Sequence, residues 1–511
     1  MILHLQDGIN PYYVQTLGMV FFPGAKFGEN EAETPDNPVL SVTCARDADG
    51  TATARAVLAY RNKTACAEER VSPDENFPVD RVDKIAVGRA VFGAGKQYFG
   101  HIPPWGILTG VRPSKVASEL LNTGHGILRS RQILRDEYFL NPQKAALAVS
   151  VAGTEARLCR KLDRNLCSVY ISIPFCPSRC AYCSFVSYTS PRLLSLIPDY
   201  LKMLAKDLAA MFDTIRALGK KVATVYIGGG TPTTLSPSQL RFLLGQITRQ
   251  VDPSTLMEFT LEAGRPDTIT KEKLAIAKEY GVTRISVNPQ TLSDEILEAI
   301  GRKHTVADFF RAFDIASGSG IRDINVDLIA GLPGDNFGNF SAALDRVIEL
   351  APTNLTVHTF CVKRAAEILR ENSGVFSLTG GDAVKCVSYS QLKTKFAGYK
   401  PYYMYRQKNT VGNLENVGYA QEGHEGMYNI FMMEELHSIF AIGAGAVTKL
   451  VDYRLPKEGR SRIVRLFTPK YPYEYLRDAD RIRNGSEDGG EPSMRDKIFK
   501  FFEAGTDGSA T

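Results

Sequence analysis

Short apolar runs alternate with longer amphipathic segments from about residue 166 to about residue 360. The runs are rich in β-branched residues, which is typical of strands, whereas the segments between them carry apolar residues at helical spacing. The pattern predicts six strands: Val169–Ile173, Val222–Ile227, Glu258–Glu262, Arg284–Val287, Ile324–Ile329 and Leu355–Thr359. The first connecting segment predicts a helix with one apolar face, made of Leu201, Leu204, Leu208, Met211, Ile215 and Leu218.

Strands that alternate with helices predict an α/β fold with a parallel sheet and right-handed crossovers. The pattern leaves two architectures open, an incomplete barrel and an open doubly wound sheet. In both architectures ligands collect at the carboxyl ends of the strands. Side chains at the ends of the predicted strands are therefore the first candidates for chemistry.

The pattern changes on both sides of this repeat. Residues 1–160 mix short strands and helices, and the alternation weakens beyond about residue 370. We predict an α+β accessory domain at 1–160, the strand–helix repeat at 161–370, a smaller domain that covers the active site at 371–482, and a mobile tail at 483–511 that is rich in Gly, Asp and Glu.

Composition narrows the class of protein. The 511 residues are 44% hydrophobic and 23% charged, as in soluble globular proteins. A net charge of +5 is small for this length and gives no argument for a nucleic-acid partner. The sequence lacks both an apolar run long enough to span a membrane and a basic start ahead of an apolar run, so we expect a cytoplasmic protein with reduced thiols.

Three of the nine cysteines stand together directly after the first predicted strand. Cys176, Cys180 and Cys183 are spaced by four and three residues, whereas the other six are scattered and are expected to be small buried residues. Thiolates hold iron–sulfur clusters, and three of them leave one iron of a four-iron cluster open to a further ligand. A zinc site is the alternative, although no His occurs between His125 and His304 to complete it.

Polar or glycine residues also end the later strands. The second strand runs into Gly228, Gly229, Gly230 and Thr231, where the backbone can approach a ligand closely. Glu262 closes the third strand, Gln290 follows the fourth, and Asp327 interrupts an apolar strand. A carboxylate in such a place is costly unless it is paired or bound. Each could be a satisfied structural group, but together they predict a polar ring at one rim.

The spacing C-x3-C-x2-C, with Tyr182 before the last Cys, resembles the signature of the radical S-adenosylmethionine (SAM) superfamily. This resemblance implies a partial (β/α)6 barrel and a 4Fe-4S cluster on Cys176, Cys180 and Cys183. It also implies that the open iron chelates the methionine moiety of SAM. An electron from the cluster then cleaves the sulfonium and releases a 5′-deoxyadenosyl radical.

The motifs along the barrel resemble, in order, those of the oxygen-independent coproporphyrinogen III oxidase family. The segments 105–115 and 357–365 are similar to its HemZ-type branch, from anaerobically growing bacteria. The family's activity is an oxidative decarboxylation in haem biosynthesis, in which hydrogen abstraction from a propionate precedes loss of carbon dioxide. The resemblance implies that the SAM contacts are Tyr170, Tyr182, Gly229, Gly230, Thr231, Glu262, Gln290, Arg302, Asp327 and Cys361.

A tetracarboxylate tetrapyrrole should be bound by basic side chains. The predicted substrate residues are Lys363, Arg364, Arg406 and Lys408, and a solvated basic surface is their alternative interpretation. Tyr402, Tyr403 and Tyr405 either stack on the substrate or belong to the core. The resemblance further implies a flavodoxin- or ferredoxin-type reductant.

Two departures keep other functions open. Ser172 and Phe185 stand where the best-understood oxidase branch has a His and a fourth Cys. The haem-chaperone branch carries an H-N-x-x-Y-W motif, and the aligned residues Glu415 to Ala420 lack both its His and its Trp. A non-catalytic haem chaperone and a radical SAM enzyme that methylates and opens haem are therefore the alternative functions.

Overall fold

The computed structural model describes residues 1–27, 34–74, 77–160, 162–183, 187–361, 381–407, 410–457, 460–485 and 492–503. The chain divides into two compact units. Unit 1 comprises Met1–Arg157, His358–Leu392 and Met404–Val417. Unit 2 comprises Leu158–Val357, Lys393–Tyr403 and Gly418–Thr511. The four domains predicted from the sequence stay a prediction.

The amino-terminal part of unit 1 is a four-stranded sheet with helices. The strands, which lie in sequence order, are β1 (Ile2–Leu5), β2 (Val39–Arg46), β3 (Ala52–Tyr60) and β4 (Lys63–Val71). β1 pairs with β2 in parallel, and the other two pairings are antiparallel. The helices are α1 (Pro11–Phe21), α2 (Val82–Phe99), α3 (Ser114–Asn122), α4 (Ile127–Asp136) and α5 (Pro142–Cys159). α2 packs on β3 and β4, whose small buried residues allow a close approach.

The strand–helix repeat follows. Its elements are β5 (Leu166–Ile173), α6 (Pro191–Leu194), α7 (Ile197–Ala217), β6 (Lys221–Gly229), α8 (Pro237–Thr248), β7 (Glu258–Leu261), α9 (Lys271–Glu279), β8 (Arg284–Ser286), α10 (Asp294–Ala299), α11 (Val306–Ser317), β9 (Asp323–Ala330), α12 (Phe337–Glu349) and β10 (Asn354–Thr359). All six predicted strands are present. The predicted apolar face of α7 is buried from Leu201 to Ile215, and Leu218 caps its carboxyl end.

The remaining elements extend the central sheet and flank it. They are α13 (Gly381–Phe396), β11 (Lys400–Arg406), β12 (Glu415–Ala420), α14 (Met427–Glu434), β13 (Ile439–Ile442), β14 (Val447–Lys457), β15 (Arg460–Phe467), α15 (Pro472–Asn484) and α16 (Met494–Glu503). Single 3-10 turns occur at Pro232–Thr234, Pro266–Thr268 and Val411–Asn413. No helix within the described ranges is long and apolar enough to cross a membrane.

The central sheet has the strand order β11-β12-β10-β9-β8-β7-β6-β5-β13-β14-β15. The neighbours from β5 to β9 pair in parallel, so the carboxyl ends of these strands meet along one edge. This mixed α/β architecture around a parallel sheet confirms the predicted fold class. Among the described residues no strand pairing closes the sheet into a full barrel.

Candidate active site at the carboxyl ends of the strands

The three clustered cysteines lie on the loop that leaves β5. Backbone bonds hold this loop to its neighbours: Thr231 N donates to Phe175 O at 2.7 Å, Cys176 N to Tyr188 O at 3.1 Å, and Ala181 N to Ile300 O at 2.9 Å. Cys176 and Cys180 are 7% and 8% exposed, and Cys183 is half-buried. The loop therefore presents its thiols at the carboxyl edge of the parallel sheet.

The thiols lie close enough to influence one another electrostatically. Burial, together with the nearby Cys183 and Cys180, raises the pKa of Cys176 to about 11, and the Thr231 hydroxyl, 3.3 Å from its sulfur, opposes that rise. Within the described ranges no three His, Cys, Asp or Glu side chains converge on a point that could hold a single metal ion. A four-iron cluster does not require such convergence, because each thiolate binds a different iron.

Two buried arginines point at the sulfur of Cys180. Arg265 Nη1 and Arg302 Nη1 each lie 3.8 Å from this sulfur. Arg265 also forms an ion pair with Asp267 at 3.0 Å, whereas Arg302 donates to the hydroxyl of Tyr182 at 3.0 Å and to backbone carbonyls. Arg302 and Tyr182 were predicted from the sequence, and Arg265 was missed. The only signal for Arg265 is its position three residues after Glu262.

The glycine turn after β6 is shaped by close backbone approaches. A Cβ at Gly230 would lie 2.6 Å from Phe175 O, and one at Gly228 would lie 2.8 Å from Glu262 Oε2. Gly229 has a φ of +109°, which L side chains rarely adopt. A side chain at Gly230 would therefore collide with the cysteine loop, and one at Gly228 would collide with the Glu262 carboxylate.

Glu262 lies against this turn. Burial and the nearby Asp327 raise its pKa to about 8, and bonds from the Gly229 N–H and the Tyr226 hydroxyl oppose that rise. Tyr226 stacks on Tyr170 and on Tyr428, with ring centroids 5.9 and 4.6 Å away. A buried carboxyl group with a pKa raised in this way is typical of a site that binds a cation.

Asp327 and Gln290 complete the polar rim. Asn288 Nδ2 and Asn325 Nδ2 donate to the two oxygens of Asp327 at 2.8 and 2.7 Å. Gln290 has a φ of +71°, in the left-handed region, and its buried Oε1 has no hydrogen-bond partner among the described residues. Backbone strain and an unsatisfied amide at the same residue indicate a functional site rather than a packing role.

Of the remaining predicted residues, two belong to unit 1 and three are not among the described residues. Cys361 forms an isolated bridge with Thr410 in unit 1, and Arg406 is buried in unit 1. Lys363, Arg364 and Lys408 lie outside the described residues. Tyr402 and Tyr403 are buried in the core, where Tyr403 packs on Gly418. Besides Arg265, the sequence analysis missed Asn288, Tyr226 and Tyr428, whose types and spacing carry no distinctive motif.

The residues present fit a 4Fe-4S cluster and SAM. Three neighbouring thiols supply the ligands of three irons and leave the fourth iron open. The glycine turn leaves no Cβ between the backbone and a ligand, and Gln290 Oε1 offers an unused acceptor. Glu262 can take a negative charge when a cation approaches it.

Comparisons with known proteins agree with this geometry. Residues 170–347 match the family model described as the radical SAM superfamily. The "Oxygen-independent coproporphyrinogen-III oxidase-like protein HemZ" of Bacillus subtilis is 38% identical over 384 residues, which are 74% of this chain and 75% of that protein. The "Heme chaperone HemW" of Escherichia coli is 30% identical over 346 residues, 66% of this chain and 81% of that protein. The solved structure of coproporphyrinogen III oxidase (HemN) from Escherichia coli aligns with a TM-score of 0.50 at 20% identity, over 65% of this chain and 73% of that one.

The fold, the three-thiol loop and the polar rim define a radical SAM protein, with the 4Fe-4S cluster and SAM as the cofactors of its class. Within that superfamily the similarity is more specific. The chain belongs to the HemN/HemZ family of oxygen-independent coproporphyrinogen III oxidases and their relatives.

Proposed function

We propose that the protein is a radical SAM oxidoreductase that converts propionate side chains of coproporphyrinogen III to vinyl groups without oxygen, yielding protoporphyrinogen IX. The observation that carries this proposal is the polar rim next to three thiols, in which Glu262 has a raised pKa and Gln290 Oε1 is buried without a partner among the described residues. Similarity to the HemZ relative over three quarters of both chains supports a tetrapyrrole substrate.

The chain's own residues would prepare this chemistry. Cys176, Cys180 and Cys183 would hold the irons, and the burial of Cys176 and Cys180 limits the access of water. Glu262 and Gln290 would bind and orient SAM at the glycine turn. When bound, the cluster and SAM supply an electron and a carbon radical that takes a hydrogen atom.

In the overall reaction two of the four propionates become vinyl groups. Each of these two loses one hydrogen atom from its β-carbon to the 5′-deoxyadenosyl radical, one carbon dioxide, and one electron to an electron acceptor. We propose that a flavodoxin- or ferredoxin-type protein reduces the cluster. The carboxylates of the substrate require basic partners, for which Lys363, Arg364, Arg406 and Lys408 remain proposals.

A haem chaperone is the second candidate, because several bacterial HemW proteins are similar to this chain. Their branch carries a His where this chain has Glu415. Both carboxylate oxygens of Glu415 are engaged: Trp105 Nε1 donates to one at 2.8 Å, and Lys144 Nζ pairs with the other at 2.5 Å. The Glu415 side chain is fully buried. A carboxylate enclosed in this way is a poor ligand for haem iron, which favours the enzyme.

An anaerobic assay of the reconstituted protein with SAM and a reductant tests the proposal. Coproporphyrinogen III and haem are supplied in parallel, and products are separated chromatographically. We expect vinyl-bearing porphyrinogen from the first substrate and no change in the second. The Cys176→Ala variant is the control, because it removes a cluster ligand.

Three results would contradict the proposal. SAM cleavage without a vinyl product would exclude coproporphyrinogen III as the substrate. Stoichiometric binding of haem, with the porphyrinogen untouched, would favour the chaperone. Loss of the haem Soret band with release of an open tetrapyrrole would favour methyl transfer and ring opening.

A further inference from the structure

Unit 1 contains a cavity of about 730 Å³, and Arg406 is one of the residues that line it. α1, β2 and the start of α2 form its walls, together with residues 109–111 and the segment around Arg406. Its size lies within the range of small-molecule sites in proteins, about 300–1,000 Å³. Val20, Val87 and Val111 contribute apolar surface.

One residue of the cavity wall is a buried cation. Arg406 is 4% exposed, and its guanidinium lies 5.6 Å above the ring of Trp105. Burial lowers the pKa of Arg406 to about 10, and the charge of Glu415 opposes that change. The carboxylate of Glu415 is already engaged by Lys144 and Trp105. In the described part of unit 1, Arg406 therefore has no carboxylate at ion-pair distance.

The hydrogen bonds that Arg406 makes with the described residues leave one edge of its guanidinium unused. Nη1 donates to Leu108 O, and the backbone N–H of Arg406 donates to Val111 O at 2.7 Å. Nε is buried and has no acceptor among the described residues. Nε and Nη2 form one edge of the planar group, which is the edge that binds a carboxylate with two parallel hydrogen bonds. A buried donor without an acceptor is costly, so this edge favours an anionic ligand.

The other charged residues around the cavity favour neither an anionic nor a cationic ligand, because they are paired with each other or exposed to water. Arg46 and Asp83 pair with each other at 2.7 Å. Lys84, Asp7 and Asp80 are exposed at the mouth, where water screens them. Among the described residues that line the cavity, Arg406 is the only buried charged side chain. The cavity thus combines apolar walls with one buried positive group.

We propose that this cavity binds a carboxylate-bearing small molecule with an apolar body, whose carboxylate is held by Arg406. Arg406 is also one of the basic residues proposed above for the substrate carboxylates, but this site is argued from its own lining and is tested by binding alone, without the reaction. Aliphatic acids and tetrapyrrole propionates share this chemistry, and the test below includes one of each.

The chain contains its own reporter of this site. Trp105 is the only tryptophan in 511 residues, and its ring lies against the Arg406 guanidinium. A carboxylate that neutralises this cation changes the electric field at the indole, so binding should change the emission of Trp105. The full-length protein is titrated with decanoate, which does not absorb in this range, and with the neutral decanol as a matched probe. We expect a saturable change with decanoate and binding about tenfold weaker with decanol.

Three variants locate the site. Arg406→Met should weaken decanoate binding about tenfold or more, because it removes the charged partner. Ala45→Phe fills an exposed part of the cavity wall and leaves Arg406 and Trp105 in place, so it should weaken binding to a similar extent even if Arg406→Met fails to fold. Lys84→Met removes an exposed cation of the mouth and should change affinity by less than about twofold. Calorimetric titration of coproporphyrin III into the wild type and Ala45→Phe provides the tetrapyrrole arm.

Saturable binding of either carboxylate that Ala45→Phe abolishes or weakens about tenfold supports the proposal. The absence of saturable binding for both carboxylates would overturn it. Equal affinity for decanol and decanoate would also overturn it, as would a loss on Lys84→Met that equals the loss on Arg406→Met.

Discussion

The two ends of the parallel strands in unit 2 carry opposite kinds of polar cluster. Glu258, Arg284, Asp323 and Asn354 are the first residues of β7, β8, β9 and β10. Arg284 donates to Glu258 at 3.3 Å, to Asp323 at 3.2 Å and to the amide oxygen of Asn354. Within the described ranges, none of the buried side-chain nitrogens or oxygens of these four residues lacks a partner. This amino-end cluster is internally complete.

The cluster at the carboxyl ends is incomplete. Gln290 Oε1, Arg302 Nε and both ring nitrogens of His304 are buried without partners in the described part of the chain. His304 lies near Arg302 and Arg265, and burial together with these cations lowers its pKa to about 3. Buried polar groups normally have hydrogen-bond partners. A set of buried groups without such partners, next to three thiols, therefore indicates a place where ligands bind. The amino ends of the strands therefore carry a cluster that stabilises the fold, whereas the carboxyl ends carry the candidate ligand site.

The largest expected effect is the loss of the cluster when a cysteine at the carboxyl ends of the strands is replaced. Cys176→Ala removes one of three cluster ligands, so we expect loss of essentially all iron and of the brown colour after anaerobic reconstitution. Cys167→Ala, which changes a buried cysteine of β5, should retain both. Iron analysis and visible absorbance provide the measurement. Retention of the full cluster by Cys176→Ala would contradict the assignment of the loop.

The next effect tests the amino end. Arg284→Met leaves Glu258 and Asp323 buried without their cation, which should lower the free energy of unfolding by about 3–5 kcal/mol. Arg241→Met breaks the exposed ion pair with Glu279 and should cost less than about 1 kcal/mol. Urea unfolding followed by circular dichroism compares the two variants. Equal losses would mean that the amino-end cluster does not stabilise the fold as proposed.

A pH series tests the carboxyl end. The pKa of Glu262 is raised from 4.5 to about 8, so the folded protein binds more protons than the unfolded chain between these values. The free energy of unfolding of the cofactor-free protein should therefore decrease as pH rises from 5 to 8. In Glu262→Gln this decrease should be smaller by about 1–3 kcal/mol.

Thermal unfolding of wild type and variant across this pH range checks the prediction. Glu279→Gln changes an exposed carboxylate and is the control. Parallel curves for wild type and Glu262→Gln would show that Glu262 ionises normally, against the prediction.

The smallest effect distinguishes the two arginines at Cys180. Asp267 largely neutralises Arg265, whereas the partners of Arg302 are a hydroxyl and backbone carbonyls. Removing a positive charge near a cluster favours its oxidised state and lowers its reduction potential. Arg302→Met should lower the potential by tens of millivolts, and Arg265→Met by less. A redox titration followed by electron paramagnetic resonance, without SAM, measures both shifts, and a larger shift for Arg265→Met would reverse the argument.

The features that could be predicted from the sequence are those that a local residue pattern determines. The six strands followed from β-branched runs, and the rim residues Glu262, Gln290 and Asp327 followed from their places at or within strands. Arg265 and Tyr428 could not be predicted, because their contacts with Cys180 and Tyr226 join segments distant in sequence. The network of Glu415 with Lys144 and Trp105 likewise joins residues more than 250 positions apart, and no local pattern indicates it.

The most direct test of the account is calorimetric titration of the reconstituted protein with SAM. Glu262→Gln at the carboxyl end should weaken SAM binding about tenfold or more, because the variant cannot take the negative charge that a cationic group of SAM requires. Arg284→Lys, at the amino end, should leave the affinity nearly unchanged in the folded fraction. Wild-type affinity in Glu262→Gln, or an equal loss in a folded Arg284→Lys protein, would contradict the account.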